Sequence, residues 1–252
     1  MLGDLANEAL TYGLEINFVK TKVLTTQQTG GAMKSFELQG KSVEVLGLLS
    51  YEKYLGRRLC IGAPTTSELE HRLAAAWGAF MQFKSELCNR KYPLSQRIKL
   101  FDMVVTPRAL FAAATWTTTK ALDDKLGVTQ RKMLRFMTCT SKEIGQDWGD
   151  YMQQSTRKLR NIMQQHHLQD WVYVQRLRKW RFARATAARE DERWSTRILK
   201  WKPSLRGYRS VGRPTTRWSD DLDETLGENW TDGNVDAELW QLLEETFLCR
   251  GT

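Results

Sequence analysis

The chain has 252 residues, of which 41% are hydrophobic, and this composition excludes a wholly disordered protein and allows one large domain or two small ones. Its 38 Lys and Arg residues outnumber 29 Asp and Glu residues, for a net charge of +9, which favours an anionic partner, with nucleic acid ahead of a membrane surface. The longest apolar stretch, near "ALFAAATW", is too short to span a bilayer.

The four cysteines are scattered, at Cys60, Cys88, Cys139 and Cys249, and none has a second cysteine or a histidine at metal-ligand spacing. We therefore expect no structural zinc. Scattered thiols in a chain without a secretory leader predict a reducing compartment, nuclear or cytoplasmic, and not secretion.

The charge changes along the chain. Residues 157–217 hold 17 basic and 4 acidic residues, residues 218–252 hold 1 basic and 10 acidic residues, and residues 1–156 hold 20 basic and 15 acidic residues. The chain thus has a mildly basic front, a strongly basic middle and an acidic end.

The first 62 residues predict one helix followed by a small antiparallel sheet. Apolar residues recur on one helical face over residues 2–12, and Gly13 follows as a helix stop. Short extended pieces joined by turns are then predicted in "LEINF", "KVLTTQQT", "SFELQG" and "SVEVLGLLSYEKYLGRRL".

From Thr66 the apolar spacing becomes helical. We expect a helix with Ser67 as its N-cap, and a second over 95–115 in which Pro107 causes a kink. Further helices are predicted over 120–137, 148–165, 168–190, 217–227 and 235–248. The fold class is therefore α+β and mainly α-helical, with a small N-terminal antiparallel sheet followed by a helical bundle.

Two lysines, Lys20 and Lys22, lie in a strand-like run near the start of the chain. They are either solvated residues on a strand edge, where lysine discourages edge pairing, or ammonium groups placed beside a phosphate as charge partner or proton donor. The second interpretation makes both of them candidate catalytic residues, for phosphate or pyrophosphate contact only.

The stretch "KYLGRRL" predicts a tight turn at Gly56, with Tyr54 and Leu55 before it and Arg57 after it. It is either an ordinary hairpin with glycine in the turn or a place where another backbone approaches closely. The second interpretation makes these four residues candidates for nucleic-acid binding.

Four basic residues, Arg176, Arg178, Lys179 and Arg181, are interleaved with aromatic residues in "DWVYVQRLRKWRF". This pattern suits nucleic acid, through phosphate contact and base stacking. It also suits an amphipathic helix with tryptophan in the core and arginine stems along its edges, or a helix that binds a calmodulin-type protein or a membrane surface. We expect most of the tryptophans in the core and the basic residues as the functional part.

The loop "GYRSVGRPTTRWSDDL" carries Arg209, Arg213 and Arg217 on an open backbone, from which guanidinium groups can contact successive phosphates. The alternative is a surface loop whose arginines pair with the acidic residues that follow it. A small polar residue, such as Thr216 or Ser219, is expected to cap the short helix after the loop.

The order of these motifs resembles that of the reverse transcriptases of LINE-type (non-LTR) retrotransposons, which are RNA-directed DNA polymerases. The resemblance covers the chain from residue 2 to about residue 230 and rests on "GLEINFVKTKVL", "YEKYLGRRL", "ELEHRLAAAWGAF", "LSQRIKLFDMVVTPRALFAAATW", "QRKMLRFM" and "VGRPTTRWSDDL". It implies a palm remnant with a primer-grip-like hairpin over 1–62, a thumb-like helical domain over 63–145, a basic helical post-thumb region over 146–202, and a GRPxxRW element with an acidic C-terminal helix over 203–252.

The resemblance also bears on catalysis. It implies that one lysine of the "KTK" pattern, Lys20 or Lys22, helps to neutralise the departing pyrophosphate. In the family the fingers and the metal-binding Asp pair precede the "GLxIN" motif, so the chain is expected to start late, as a truncated element or an incomplete gene product. The stretch "WSDD" has a sequence like that of the metal-binding Asp pair, but it lies at a predicted helix start. Acidic residues there are stabilised by the helix dipole, so no residue is assigned to metal binding.

Nucleotidyl transfer needs two divalent metals. We therefore expect no cofactor in this chain, with Mg²⁺ expected only for an intact polymerase, and no polymerase activity from the chain alone. The predicted function is that of a reverse transcriptase fragment that binds the backbone of an RNA–DNA or DNA duplex. One alternative is a basic helical interaction protein that binds a protein partner or an acidic membrane surface. Another is a polymerase completed by a second chain.

Overall fold

The computed structural model describes residues 2–25, 35–189, 193–200, 216–232 and 236–250, and most of these residues are helical. The predicted α+β, mainly α-helical class is confirmed. The chain divides into two compact units, Met1–His71 and Arg72–Thr252, called here the N-terminal and C-terminal units. The division into four functional regions stays a prediction.

The N-terminal unit opens with helix α1, Leu2–Thr11, as predicted. The Gly13 N–H donates to the Leu10 carbonyl (3.0 Å) and the Leu14 N–H donates to the Ala9 carbonyl (2.9 Å), and these two bonds form a Schellman motif. The motif needs a left-handed residue, and Gly13 supplies it with a φ of +69°. The predicted helix stop is confirmed.

The larger sheet has three strands, in the order β1 (Lys22–Leu24), β3 (Lys41–Leu46), β2 (Ser35–Leu38). β2 and β3 are antiparallel, but β1 and β3 are parallel, so the prediction of a wholly antiparallel sheet was wrong. A tight turn pairs β2 with one edge of β3, and β1 pairs with the other edge after a longer connection, as a parallel pair requires.

The predicted extended piece "LEINF" contains no strand. The chain turns instead, because the N–H groups of Lys20 and Thr21 both donate to the Asn17 carbonyl oxygen, at 3.1 and 2.9 Å. The Asn17 side chain accepts a further bond from the Lys20 N–H at 3.2 Å. An asparagine side chain that bonds to nearby backbone competes in this way with strand pairing.

The second sheet is the hairpin of β4 (Glu52–Tyr54) and β5 (Arg57–Leu59). Helix α2, Pro64–Gln82, follows it. The helix begins at Pro64 and not after the predicted N-cap Ser67, because the fixed φ of proline suits the first helical position. The Ser67 N–H is already inside the helix and donates to the Ala63 carbonyl at 3.0 Å.

Helices make up most of the C-terminal unit. They are α3 (Lys84–Leu87), α4 (Leu94–Val104), α5 (Thr106–Ala109), α6 (Lys120–Thr138), α7 (Trp148–Gln165), α8 (Trp171–Ala187), α9 (Trp194–Lys200), α10 (Asp220–Leu226) and α11 (Ala237–Leu248), with 3-10 turns at Ala113–Thr115 and Trp230–Asp232. The predicted kink is confirmed as the break between α4 and α5, because Pro107 has no N–H to donate to the preceding turn. Helix α9 was not predicted.

Helix α8 is the central element of the C-terminal unit and contacts α6, α9, α11 and both 3-10 turns. At its start, Trp171 stacks on Phe101 with ring centroids 5.9 Å apart. Further along, Trp180 meets Trp240 edge to face at 4.6 Å. Trp171 and Trp180 are both fully buried, which confirms that these tryptophans belong to the core.

Candidate nucleic-acid interface

Lys22 is engaged by two carboxylates of the N-terminal unit. Its Nζ atom lies 2.8 Å from Glu52 Oε2 and 3.3 Å from Glu44 Oε2. The parallel register of β1 and β3 places Lys22 opposite Glu44, while Glu52 belongs to the neighbouring hairpin. The hydrogen bond to Glu52, and then that to Glu44, raises the pKa of Lys22. A phosphate at Lys22 would have to compete with both carboxylates.

Lys20 differs from Lys22 although only one residue separates them. Its backbone N–H is held by Asn17, and its side chain is exposed, with no ion pair to any residue that the structure describes. Lys20 can therefore contact an external phosphate without breaking an internal ion pair. The assignment of either lysine to a polymerase role stays a prediction.

The hairpin β4–β5 presents an apolar tip. Leu55 and Gly56 form its two-residue turn, both with positive φ (+48° and +80°), as a type I′ turn requires. Tyr54 is 60% exposed and Leu55 is 79% exposed. The predicted tight turn is therefore present, and two large side chains at its tip are open to a partner.

The strand that follows the turn carries two arginines that are less exposed than the tip. Arg57 is half-buried. The backbone N–H of Arg58 donates to Glu68 Oε2 at 2.6 Å. The guanidinium of Arg58 lies 4.0 Å from the centre of the Tyr51 ring. The bond to Glu68 joins β5 to the start of α2, and the ring contact joins β5 to the residue before β4.

Arg176 and Arg178 of α8 are used inside the C-terminal unit. Arg176 Nη2 lies 2.8 Å from Asp123 Oδ2, and its Nη1 donates to the carbonyls of Leu248 and Arg250. Arg178 Nη1 donates to the Leu110 carbonyl at 2.7 Å. These two predicted nucleic-acid contacts therefore tie α8 to α6, to α11 and to the end of α5.

Lys179 is deeply buried, with 3% of its side chain exposed. Its Nζ atom lies 2.8 Å from Asp221 Oδ2 and 5.0 Å from the centre of the Trp218 ring. Burial lowers the pKa of Lys179, and the Asp221 carboxylate partly opposes this effect. Arg181, two residues further on, is exposed.

The GRPxxRW element is described only at its end. Arg209 and Arg213 lie outside the described residues. Arg217 is half-buried, and its backbone N–H donates to Asp220 Oδ2 at 2.8 Å.

The acids of "WSDD" begin α10, as the dipole argument predicted. The side chain of Ser219 does not cap this helix, because Ser219 has helical backbone angles (φ −83°, ψ −18°), whereas a capping residue is extended. Its hydroxyl donates to Asp223 Oδ2 at 3.1 Å. Asp223 Oδ1 also accepts from Trp230 Nε1 at 2.7 Å. Asp221 of the "WSDD" pair is thus occupied by Lys179, and Asp223, two residues further on, is occupied by Trp230.

The sequence analysis missed the three cations of α7. Arg157, Lys158 and Arg160 are all exposed and have no ion pair to any described residue. At 100° per residue they cover an arc of about 160° on the helix, opposite the buried Ser155, Leu159 and Met163. The signal was present in the helical period of "STRKLRNIM", since its apolar face leaves only cations and amides on the other side.

Helix α7, which carries these cations, is capped at its start and bonded to α6 in its middle. The Asp147 carboxylate caps it by accepting from the N–H groups of Gly149 (2.6 Å) and Asp150 (3.2 Å). Arg135 of α6 donates to the hydroxyls of Ser155 (3.1 Å) and Thr156 (3.0 Å). The helix is thus fixed at its start and its middle.

Arg160 also reaches a cleft of about 540 Å³ at the first turns of α6 and α8. Lys120 and Arg131 line the same cleft, together with Asp123 and Asp170. Because the cleft carries both signs of charge, it is not by itself a phosphate site. Of the three α7 cations, Arg160 lines the cleft, and Arg157 and Lys158 are exposed elsewhere on the helix.

The described residues contain no group of three or more His, Cys, Asp or Glu side chains placed to hold a metal ion. None of the described helices combines the length and the apolar character needed to cross a bilayer.

The chain is similar along most of its length to a nematode protein. It is 29% identical over 240 residues to an uncharacterized transposon-derived protein of Caenorhabditis elegans, and the match covers 93% of this chain and 81% of that protein. This chain is related to a transposon-derived protein. No protein-family model and no solved structure matches it.

Proposed function

We propose that the chain is the C-terminal part of a LINE-type reverse transcriptase and that it binds the phosphate backbone of a nucleic-acid duplex. The order of its motifs supports the family, and the transposon-derived relative supports an origin of this kind. The proposal concerns backbone binding alone, since nucleotidyl transfer needs carboxylates that hold two divalent metals and no residue of this chain is proposed for that role.

The polar face of α7 carries the proposal. Arg157, Lys158 and Arg160 are exposed on a capped helix, so they can neutralise phosphates without giving up an ion pair to any residue that the structure describes. Contacts of this type supply most sequence-independent affinity for a duplex, through the release of bound counterions. Arg176 and Lys179 would instead have to leave Asp123 and Asp221, so the proposal does not rest on them.

The N-terminal unit offers a second type of contact. The exposed Tyr54 at the hairpin tip can stack on a base or pack on a sugar, as aromatic side chains do in single-strand binding. Lys20 can supply a phosphate contact. The proposal therefore includes a primer-grip role for this hairpin, in keeping with the resemblance.

The alternative of a basic interaction helix rested on α8. That helix is surrounded by other elements of its unit, and Arg176, Arg178 and Lys179 bond to its neighbours. A calmodulin-type target or a membrane-surface helix needs its basic face free. We therefore propose nucleic acid as the partner.

The test compares two charge-matched triple variants for binding to a labelled RNA–DNA duplex. Arg157→Gln, Lys158→Gln and Arg160→Gln remove the α7 cations, while Lys84→Gln, Lys91→Gln and Lys99→Gln remove three other exposed cations. The first variant is expected to bind at least about tenfold more weakly than the second, since each lost phosphate contact removes a counterion-release contribution. Equal affinities for the two variants would refute the assignment to α7.

A primer-extension assay tests the absence of transfer. With Mg²⁺ and nucleotides, the purified chain is expected to leave a primed RNA template unextended. Extension that requires Mg²⁺ would contradict this part of the proposal while leaving the binding result intact.

A further inference from the structure

Cys88 and Cys139 lie at the ends of two helices that meet in the C-terminal unit. Cys88 directly follows α3, and Cys139 directly follows α6. The Cys88 Sγ atom lies 3.8 Å from the Phe136 carbonyl oxygen, and the Cys139 N–H donates to the same oxygen at 3.2 Å. The thiol of one cysteine is therefore beside the backbone of the other.

Arg97 holds the two helix ends together without using either thiol. Its Nη1 atom donates to the Leu87 carbonyl (3.1 Å) and to the Met137 carbonyl (2.7 Å). Arg97 is buried, and a cation is favourable there because the last carbonyls of a helix have no intrahelical N–H partner. One guanidinium thus fixes the residue before Cys88 against the last turn before Cys139.

The two thiols differ in access. Cys139 is exposed and Cys88 is half-buried, and both are free. Burial raises the pKa of the Cys88 thiol, and the charge of Cys139 raises it further. The exposed Cys139 is accordingly the first to meet an oxidant, and Cys88 is placed to react with it next.

We propose that Cys88 and Cys139 are an oxidative modification site and form a reversible disulfide that joins the end of α3 to the end of α6. With oxidised glutathione, the Cys139 thiolate displaces one glutathione thiolate and forms a mixed disulfide. Cys88 then attacks the Cys139 sulfur and releases the second glutathione. The two protein thiols give up two protons and two electrons, which convert one oxidised glutathione into two reduced molecules. This site is independent of nucleic-acid binding.

The experiment treats the full wild-type chain with oxidised glutathione, alkylates the remaining thiols and maps the peptides by mass spectrometry. We expect a Cys88–Cys139 linked peptide, a mass lower by about 2 Da and no retained glutathione. Dithiothreitol should restore both thiols. Cys249, which is also exposed, serves as the internal comparison and should stay outside the linked peptide.

Two variants separate the steps. Cys88→Ser should stop at a glutathione adduct on Cys139, and Cys139→Ser should lose the Cys88 thiol at least about tenfold more slowly than the wild type, because the neighbouring reactant is gone. Circular dichroism checks that both variants are folded. The proposal is overturned if the wild type keeps both thiols, retains glutathione on Cys139, or links either cysteine to another partner.

Discussion

The Nζ atom of Lys179 lies 2.8 Å from Asp221 Oδ2, and the two side chains are unequally buried, at 3% and 40% exposed. Replacing the lysine and replacing the aspartate should therefore have unequal effects on the free energy of unfolding. Asp221→Asn leaves a buried cation without its counter-charge and should lower the free energy of unfolding by about 3 kcal/mol. Lys179→Met leaves a carboxylate that water can reach and should cost less than about 1 kcal/mol. Urea unfolding of the two variants measures the difference, and equal costs would contradict this description of the pair.

The lowered pKa of Lys179 predicts a pH dependence of stability. Between the lowered folded-state pKa and the ordinary lysine value of about 10.4, the unfolded chain binds a proton that the folded chain has released. Stability from this group therefore rises with pH through that window. The difference in unfolding free energy between the wild type and Lys179→Met should shift in favour of the wild type from pH 7 towards pH 10 or so. If this difference in unfolding free energy stays constant or moves towards the variant, the effect of Asp221 on the pKa of Lys179 outweighs the effect of burial.

Gln130 connects α6 to the start of α8 and should be important for stability. Its Oε1 accepts from the Trp171 N–H and its Nε2 donates to the Gln169 carbonyl, both at 2.9 Å. Gln130→Ala leaves these backbone groups without partners and should cost about 2–4 kcal/mol. Gln165→Ala removes an exposed glutamine and should cost less than about 0.5 kcal/mol. Thermal or urea unfolding compares the two, and similar costs would count against the bridging role.

The same residue shows what the sequence could and could not predict. The helical spacing of the sequence puts Gln130 on the same face of α6 as Leu126 and Met133, and all three are buried, because the period of a helix is a local property of the chain. The roles of the α8 cations are not local. Arg176 pairs with Asp123, which lies 53 residues earlier in the chain, and Lys179 pairs with Asp221, which lies 42 residues later. Such pairs follow from packing, so the sequence showed basic residues without showing that internal partners already hold them.

A substitution in the turn of the hairpin should change stability and duplex binding in opposite directions. Leu55 has a φ of +48°, a conformation that costs a leucine more than an asparagine. Leu55→Asn gives the Asn-Gly turn that type I′ hairpins prefer and should stabilise the N-terminal unit by about 0.5–1 kcal/mol. If the tip contacts a duplex, the same variant should bind more weakly although it is more stable. Unfolding and duplex binding measured on one preparation test both parts, and unchanged binding would remove Leu55 from the interface.

The salt dependence of duplex binding tests the central claim most directly. Affinity is measured from low to moderate salt for the wild type and for the variant that lacks the three α7 cations, with Lys84→Gln, Lys91→Gln, Lys99→Gln as the matched control. If Arg157, Lys158 and Arg160 each contact a phosphate, the slope of log affinity against log salt should become shallower by about 2–3 in the α7 variant and stay near the wild-type value in the control. A wild type that binds no duplex, or slopes that are equal in all three proteins, would contradict the account.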